Sequence, residues 1–354
     1  ARGPAPAATA MTRRDVDLDA TGPASIHADD NERVVEASLR PGSLAEFVGQ
    51  RELVSHLDIV LGAARARGAS VDHLLFAGPP GLGKTSLATI VAHEMGSGLR
   101  VTSGPVLTRP GDLAAIMTDL ADGDVLFIDE IHRLPRSVEE VLYPAMEDRR
   151  LDVMIGRGPS ARSIRLDLPR FTLVGATTRT GLVAAPLRDR FGFVASLDLY
   201  DPDELTAIIE RSAGLLRVEL VGGAAGCIAR RSRGTPRVAN RLLRRVRDVA
   251  DVRGARSVDE ALARDALELF GVDELGLDKM DRRILGLLCG QFAHSPVGLT
   301  TLAHAVGEET TTVEDAYEPY LLREGLLTRT PRGRVATERA YRHLGLTPRG
   351  GGLL

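Results

Sequence analysis

His73-Leu74-Leu75-Phe76-Ala77, followed by Gly78-Pro79-Pro80-Gly81-Leu82-Gly83-Lys84-Thr85, is the stretch on which the fold turns. The first five residues predict a short buried strand and Ser86 to Met95 a helix. The glycine-rich run GxxxxGK[ST] therefore stands between a strand and a helix, the context this motif requires. Glycines such as Gly81 and Gly83 let backbone N–H groups curl around phosphate oxygens, and the helix start adds its positive dipole end. Lys84 is placed to reach the β- and γ-phosphates of ATP, and the Thr85 hydroxyl to ligate Mg2+.

Downstream, the apolar run Val125-Leu126-Phe127-Ile128 ends in Asp129-Glu130-Ile131-His132. A continuous apolar run with acids at its carboxyl end predicts a buried parallel strand. Asp129 suits a magnesium ion held through water, and Glu130 suits polarising an attacking water. His132 reads as a polar surface residue, with a coupling role as the lesser alternative. A third strand, Phe171 to Ala176, ends in Thr177-Thr178-Arg179, which brings hydroxyls beside the acids if the strands are neighbours. Either threonine could sense the γ-phosphate; strand propensity alone also explains both.

Pro186-Leu187-Arg188-Asp189-Arg190-Phe191-Gly192 then presents arginines on a short helix end. That suits a finger reaching into a neighbouring subunit's site, and equally a surface ion pair. Further on, Arg233-Gly234-Thr235-Pro236-Arg237 opens a helix over Val238 to Val249, so Arg237 falls in its first turn. An arginine is poorly placed there for the helix dipole, and a phosphate partner explains the cost; the eight arginines between Arg230 and Arg247 also read as a nucleic-acid patch, with nucleotide sensing favoured for Arg237.

Composition narrows the setting. Of 354 residues, 44% are hydrophobic and 26% charged, and the net charge is -3, so any nucleic-acid contact must come from a local patch. Cys227 and Cys289 stand apart with no metal-ligand spacing and read as small core residues. No apolar run is long enough to cross a membrane and no signal-peptide order opens the chain, which points to the cytoplasm. Residues 1–33 read as a mobile extension. Among 45 basic residues the only lysines are Lys84 and Lys279, the first of them where the phosphate loop demands one.

From Leu277 the pattern changes to helices over Asp281 to Leu288, Leu299 to Val306 and Thr310 to Arg323, then two short strands within Leu326 to Ala336. Three helices and a hairpin outline a winged helix. Residues 308–319 carry five acids and no base, whereas 320–349 carry seven arginines and two acids. An acidic third helix is repelled by phosphate. The wing, Arg329, Arg332 and Arg334, is the element expected to touch the DNA backbone without reading sequence. Leu151 to Leu168 alternates about a Gly-Arg-Gly-Pro turn and predicts an inserted hairpin, with Val153, Met154 and Ile155 either packed inward or offered to a partner.

With these motifs in place, the order matches the AAA+ ATPases, and the local wording resembles the RuvB family, the motors that drive branch migration of Holliday junctions. The resemblance rests on Leu39-Arg40-Pro41, Glu46 to Gln50, Val101 to Pro105, Leu126 to Leu134 (LFIDEIHRL), Asp152 to Gly156, Leu173 to Arg179, Gly234 to Asn240, Pro296 to Leu299, Tyr317 to Leu322 and Arg329 to Arg334. It spans roughly residues 34 to 346. Ser86 stands where the family often has threonine, which keeps the hydroxyl.

The resemblance implies adenine and ribose contacts near Leu39, Arg40 and Tyr200, with Gly81, Lys84, Thr85 and Ser86 on the phosphates. It implies Arg190 as the trans-acting finger, Arg237 as a second sensor, and the hairpin as the surface that engages a RuvA-type junction-binding protein. It further implies a homo-hexamer around double-stranded DNA in the bacterial cytoplasm.

The architecture expected is an α/β AAA+ P-loop core with a parallel sheet over residues 34–199, a small helical lid over 200–272, and a winged-helix domain over 273–354. The function expected is an ATP-dependent, helicase-type motor with ATP and Mg2+ as cofactors. A clamp-loader-like ATPase is the alternative, though those motors often carry a four-cysteine zinc module. A DNA-binding regulator using ATP only as a switch is the rival from another class, against which Glu130 and an arginine finger argue for turnover.

Overall fold

The computed structural model of the protein describes residues 36, 38–155, 162–293 and 295–347, without the side chains of 153–155 and 162–164. It divides into two units, residues 1–40 and 41–354, and the sheet, the lid helices and the winged helix all belong to the second. The extension expected over residues 1–33 lies outside the described residues.

The central sheet is made of β1 (Leu74–Ala77), β2 (Leu99–Ser103), β3 (Asp124–Asp129), β6 (Phe171–Thr177) and β7 (Phe193–Ser196). All run parallel, in the order β2-β3-β6-β1-β7. The continuous apolar runs of β1, β3 and β6 are buried, as strands covered on both faces must be. Because successive side chains alternate across a strand, Phe76, Phe127 and Val174 enter one core and Leu75, Leu126 and Leu173 the other. Each such side chain removed from water contributes about 1.5–3 kcal/mol.

Strand order places the chemistry. β6 lies between β1 and β3, with Ala77 opposite Thr177 and Ile128 opposite Gly175. The phosphate loop after β1 and the acids after β3 therefore flank the threonines that end β6.

β4 (Arg150–Ile155) and β5 (Arg162–Asp167) pair antiparallel as the inserted hairpin, anchored by the fully buried Leu151. The helices Pro202–Leu216, Ala224–Arg230, Pro236–Arg253 and Glu260–Leu269 follow. Their core is not separate: Leu205, Ile209 and Leu242 belong to the same buried cluster as Phe76 and Phe127. The lid thus shares one face's core with the sheet.

The C-terminal residues keep a core of their own around Ile284, Leu302 and Leu321. The helices Lys279–Cys289 and Leu299–Val306 precede β8 (Leu327–Thr330) and β9 (Gly333–Ala336), which pair antiparallel. Val297 bridges to Arg334 as a third, one-residue strand. A Cβ at Gly333 would come within 2.4 Å of the Val297 carbonyl oxygen, so only glycine permits that close approach.

The helix expected from Thr310 to Arg323, with Pro319 as its point of kinking or early ending, is interrupted before that proline: Thr310–Thr312 gives way to a π turn, Val313–Tyr317, and Glu318–Arg323 resumes. Pro319, which has no N–H to donate, falls in the first turn of the resumed helix, where that loss is tolerated. A further helix, Glu338–His343, closes the module.

Candidate nucleotide site and DNA-facing surfaces

The helix Lys84–Glu94 begins at the motif lysine, with Gly83 as its left-handed N-cap. Lys84 is 7% exposed, and its Nζ donates to the Gly78 and Pro79 carbonyls, both at 2.8 Å. Burial pushes its pKa down, while Asp129 and Glu130 pull it back up. Thr85 is half-buried and Ser86 buried in the same first turn. Gly81 has φ +82°, and a Cβ there would lie 3.0 Å from Cβ of Arg237. The Arg237 amide also donates to the Gly81 carbonyl at 3.3 Å, so the lid helix begins against the phosphate loop.

Tyr200 ties the same parts together. Its hydroxyl donates to the Leu82 carbonyl at 3.2 Å and its amide to the Gly234 carbonyl at 3.0 Å. Burial raises its pKa. Leu39 and Arg40 belong to the separate unit of residues 1–40.

The acids end β3 as their sequence suggested. Asp129 Oδ1 accepts from the Glu130 amide at 2.8 Å. Glu130 adopts φ +48°, which turns its side chain off the strand line. Its Oε2 accepts from Thr178 Oγ1 at 3.4 Å and lies 3.4 Å from His132 Nε2. Of the two threonines, Thr178 is thus the one that touches Glu130, while Thr177 is fully buried.

His132 is not the surface residue its polarity suggested. Its side chain is 6% exposed, and Nδ1 lies 3.0 Å from Thr177 Oγ1. Since Thr177 Oγ1 already accepts from the Arg179 amide, its own proton is available to Nδ1. Nε2 then carries the ring proton toward Glu130. Burial lowers the His132 pKa, outweighing the Glu130 charge that raises it. A neutral imidazole thus links the buried threonine to the carboxylate. No local pattern could have found this, because the contact spans forty-five residues.

Arg190 follows the short helix Ala185–Arg188 and is held on its own subunit. It pairs with Glu147 at 3.0 Å, lies 4.6 Å over the Tyr143 ring and donates to the Pro186 carbonyl. Arg188 is exposed. The ion-pair reading of this segment therefore describes Arg190 in the single chain.

In the winged helix, Arg329 and Arg334 are less available than the sequence implied. Both reach Glu318, itself only 2% exposed, with paired hydrogen bonds of 2.7–3.0 Å. Arg332, at the turn between β8 and β9, is exposed. The hairpin side chains Val153, Met154 and Ile155 lie outside the described residues. Cys227 and Cys289 are buried, and burial raises both thiols, Cys289 to about 11.

Three families match consecutive stretches: the P-loop domain of the Holliday junction DNA helicase RuvB at residues 39–197, the RuvB AAA lid domain at 200–273, and the RuvB C-terminal winged helix domain at 274–345. The RuvB branch migration complex subunit of Mycolicibacterium gilvum is 59% identical over 317 residues, 90% of this chain and 89% of that one. Its counterpart from Rubrobacter xylanophilus is 60% identical over 330 residues, 93% of this chain and 92% of that one. The solved Thermotoga maritima RuvB Holliday junction branch migration motor superposes with a TM-score of 0.79 at 50% identity, covering 88% of this chain and 99% of that chain.

Proposed function

This chain belongs to the RuvB family of Holliday junction branch-migration motors, and from that premise we propose how its own residues perform the work. It is an ATP-hydrolysing, helicase-type DNA motor of the AAA+ class, a subunit of a branch migration complex. The observation that carries the mechanism is the convergence of Lys84, Asp129, Glu130 and Thr178 at the ends of three adjacent strands, with Arg237 entering from the lid.

In this reading the phosphate loop and Lys84 bind the β- and γ-phosphates. Glu130 orients a water for in-line attack on the γ-phosphorus: the new P–O bond forms as the bond to the β,γ-bridging oxygen breaks, and ADP leaves with that electron pair. Thr178 and the His132–Thr177 pair hold the Glu130 carboxylate in place. The Thr85 hydroxyl and the Asp129 carboxylate are hard oxygen donors, and so few protein ligands beside substrate phosphates fit Mg2+. The ion, when bound, neutralises charge building on the phosphates.

Arg190 completes a neighbouring subunit's site, which requires release from Glu147, and Arg237 reports the phosphate state to the lid. The assembly is a homo-hexamer around duplex DNA, acting in the cytoplasm with a RuvA-type partner on the inserted hairpin. Arg332 leads the contact of the wing with the DNA backbone, and Glu318 holds Arg329 and Arg334 in position beside it.

The test is ATP-dependent dissociation of a synthetic four-way junction, with and without a RuvA-type partner. Partner-stimulated dissociation that Glu130→Gln abolishes is the expected result. ATP hydrolysis with no junction movement under any partner condition would overturn the motor reading and leave only the ATPase.

A further inference from the structure

Where the lid meets the winged helix, a cavity of about 420 Å3 opens between the helix Pro236–Arg253 and the first turn of the helix Lys279–Cys289. Arg231, Arg241, Arg245, Lys279 and Arg283 line it, and Asp278 is the one carboxylate among the described lining residues. Asp278 is already engaged: Oδ1 caps the winged-helix segment through the Met280 and Asp281 amides, at 2.8 and 3.0 Å, and Oδ2 lies 3.4 Å from Arg233. Arg233, also in the wall, is taken up by Asp281 and the Gly276 carbonyl. The other five cations face one cavity with no carboxylate paired to them among the described residues.

Such a cluster is costly by itself. Arg241, Lys279 and Arg283 are exposed at the cavity mouth and Arg245 is half-buried; partial burial and the neighbouring Arg245 and Arg233 charges lower the Arg241 pKa. Lys279 is the first residue of its helix, where a cation opposes the dipole. Arg231 is 6% exposed; its Nη1 donates to the Cys227 carbonyl at 3.1 Å, and its Nε has no hydrogen-bond partner. That Nε is sealed from solvent, so an acceptor in the cavity reaches it only when the side chain turns outward. Lys279 is also the only lysine besides the one in the phosphate loop.

We propose that this cavity is a second phosphate-binding site, distinct from the nucleotide loop. The phosphate comes either from the backbone of bound duplex or from a free phosphate compound. The non-bridging oxygens of a phosphodiester or of a free phosphate accept from the guanidinium and ammonium donors and relieve the repulsion among them. Val238 and Phe270 supply the apolar part of the wall, and Arg245 lies 5.1 Å over the Phe270 ring.

The test uses the full chain carrying Lys84→Ala, which removes the nucleotide loop's lysine, with and without Lys279→Gln plus Arg283→Gln. Thermal midpoints are measured against inorganic pyrophosphate, and duplex affinity against salt. The expected result is a pyrophosphate-dependent rise in midpoint that the two glutamines abolish. If the salt slope of duplex binding also falls by about one per lost contact, the phosphate is the DNA backbone's. If that slope is unchanged, the site takes free phosphate.

An unchanged midpoint rise together with an unchanged slope would overturn the proposal. So would a loss of self-association on glutamine substitution with no loss of either phosphate readout, which would assign the cluster to subunit contacts. Should the double variant not fold, Arg283→Gln alone, at the helix surface, is read in the same two assays.

Discussion

Glu130 is where the residue scale matters most, because its carboxylate must point at a water and not at the nearest cation. It is held by Thr178 and by a buried, neutral His132 whose other nitrogen meets Thr177. Replacing His132 with Ala removes the link while leaving Lys84 and the loop intact. We expect kcat for ATP hydrolysis to fall by about 10²-fold with KM little changed, since misplacing a catalytic group by about 1 Å costs that much. Steady-state kinetics in the presence of duplex DNA checks this, and His132→Asn, which keeps a donor, should recover part of the rate. An equal loss of substrate binding would mean that His132 supports the loop instead.

At the scale of elements, the winged helix is organised about one buried carboxylate. Burial alone would raise the Glu318 pKa, but the paired hydrogen bonds from Arg329 and Arg334 outweigh it and hold it below the usual range. A carboxylate depressed in the folded state adds stability above its unfolded pKa of about 4.3, and that stability is lost as pH falls through the folded value. Denaturant unfolding of the winged helix should therefore weaken below about pH 4.3 in the natural chain and show less of this dependence in Glu318→Gln. At neutral pH that substitution should cost about 3 kcal/mol, because two arginines lose a buried partner. The π turn before Glu318 carries Asp315, which forms an exposed ion pair with Arg179, immediately after Thr177 and Thr178. One irregular element thereby joins the ATPase sheet to the DNA-binding module.

For the whole molecule, the question is what a subunit can do alone. Arg190 pairs with its own Glu147 and stacks on its own Tyr143, so a finger role requires a neighbour. Arg190→Ala should lower ATP turnover by about 10³-fold, the low end for an arginine finger. Mixed with Glu130→Gln subunits, it should regain a measurable fraction, because a site with Glu130 then sits beside a subunit that supplies Arg190. Absence of any recovery across mixing ratios would assign Arg190 to its own domain's packing. The lid shares its core with the sheet and is tied to the winged helix by the Arg233–Asp281 pair, whose carboxylate is fully buried.

The nucleotide machinery was legible in the sequence because its chemistry is local. A phosphate loop needs glycines and a lysine within eight residues, a magnesium acid needs the end of an apolar strand, and both appear as contiguous runs at Gly78–Thr85 and Val125–Glu130. The winged helix was legible for the same reason, as alternating helix and strand periods after Leu277. What only the tertiary structure decided is which charges meet. His132 lies against Thr177, Glu318 clamps two wing arginines, Arg190 is paired at home, and Arg231 shares a cavity with Lys279 and Arg283. These contacts join different elements, from eleven residues apart for Glu318 and Arg329 to forty-five for His132 and Thr177, and a side chain's charge or polarity carries no periodic signal of the partner that folding will place beside it.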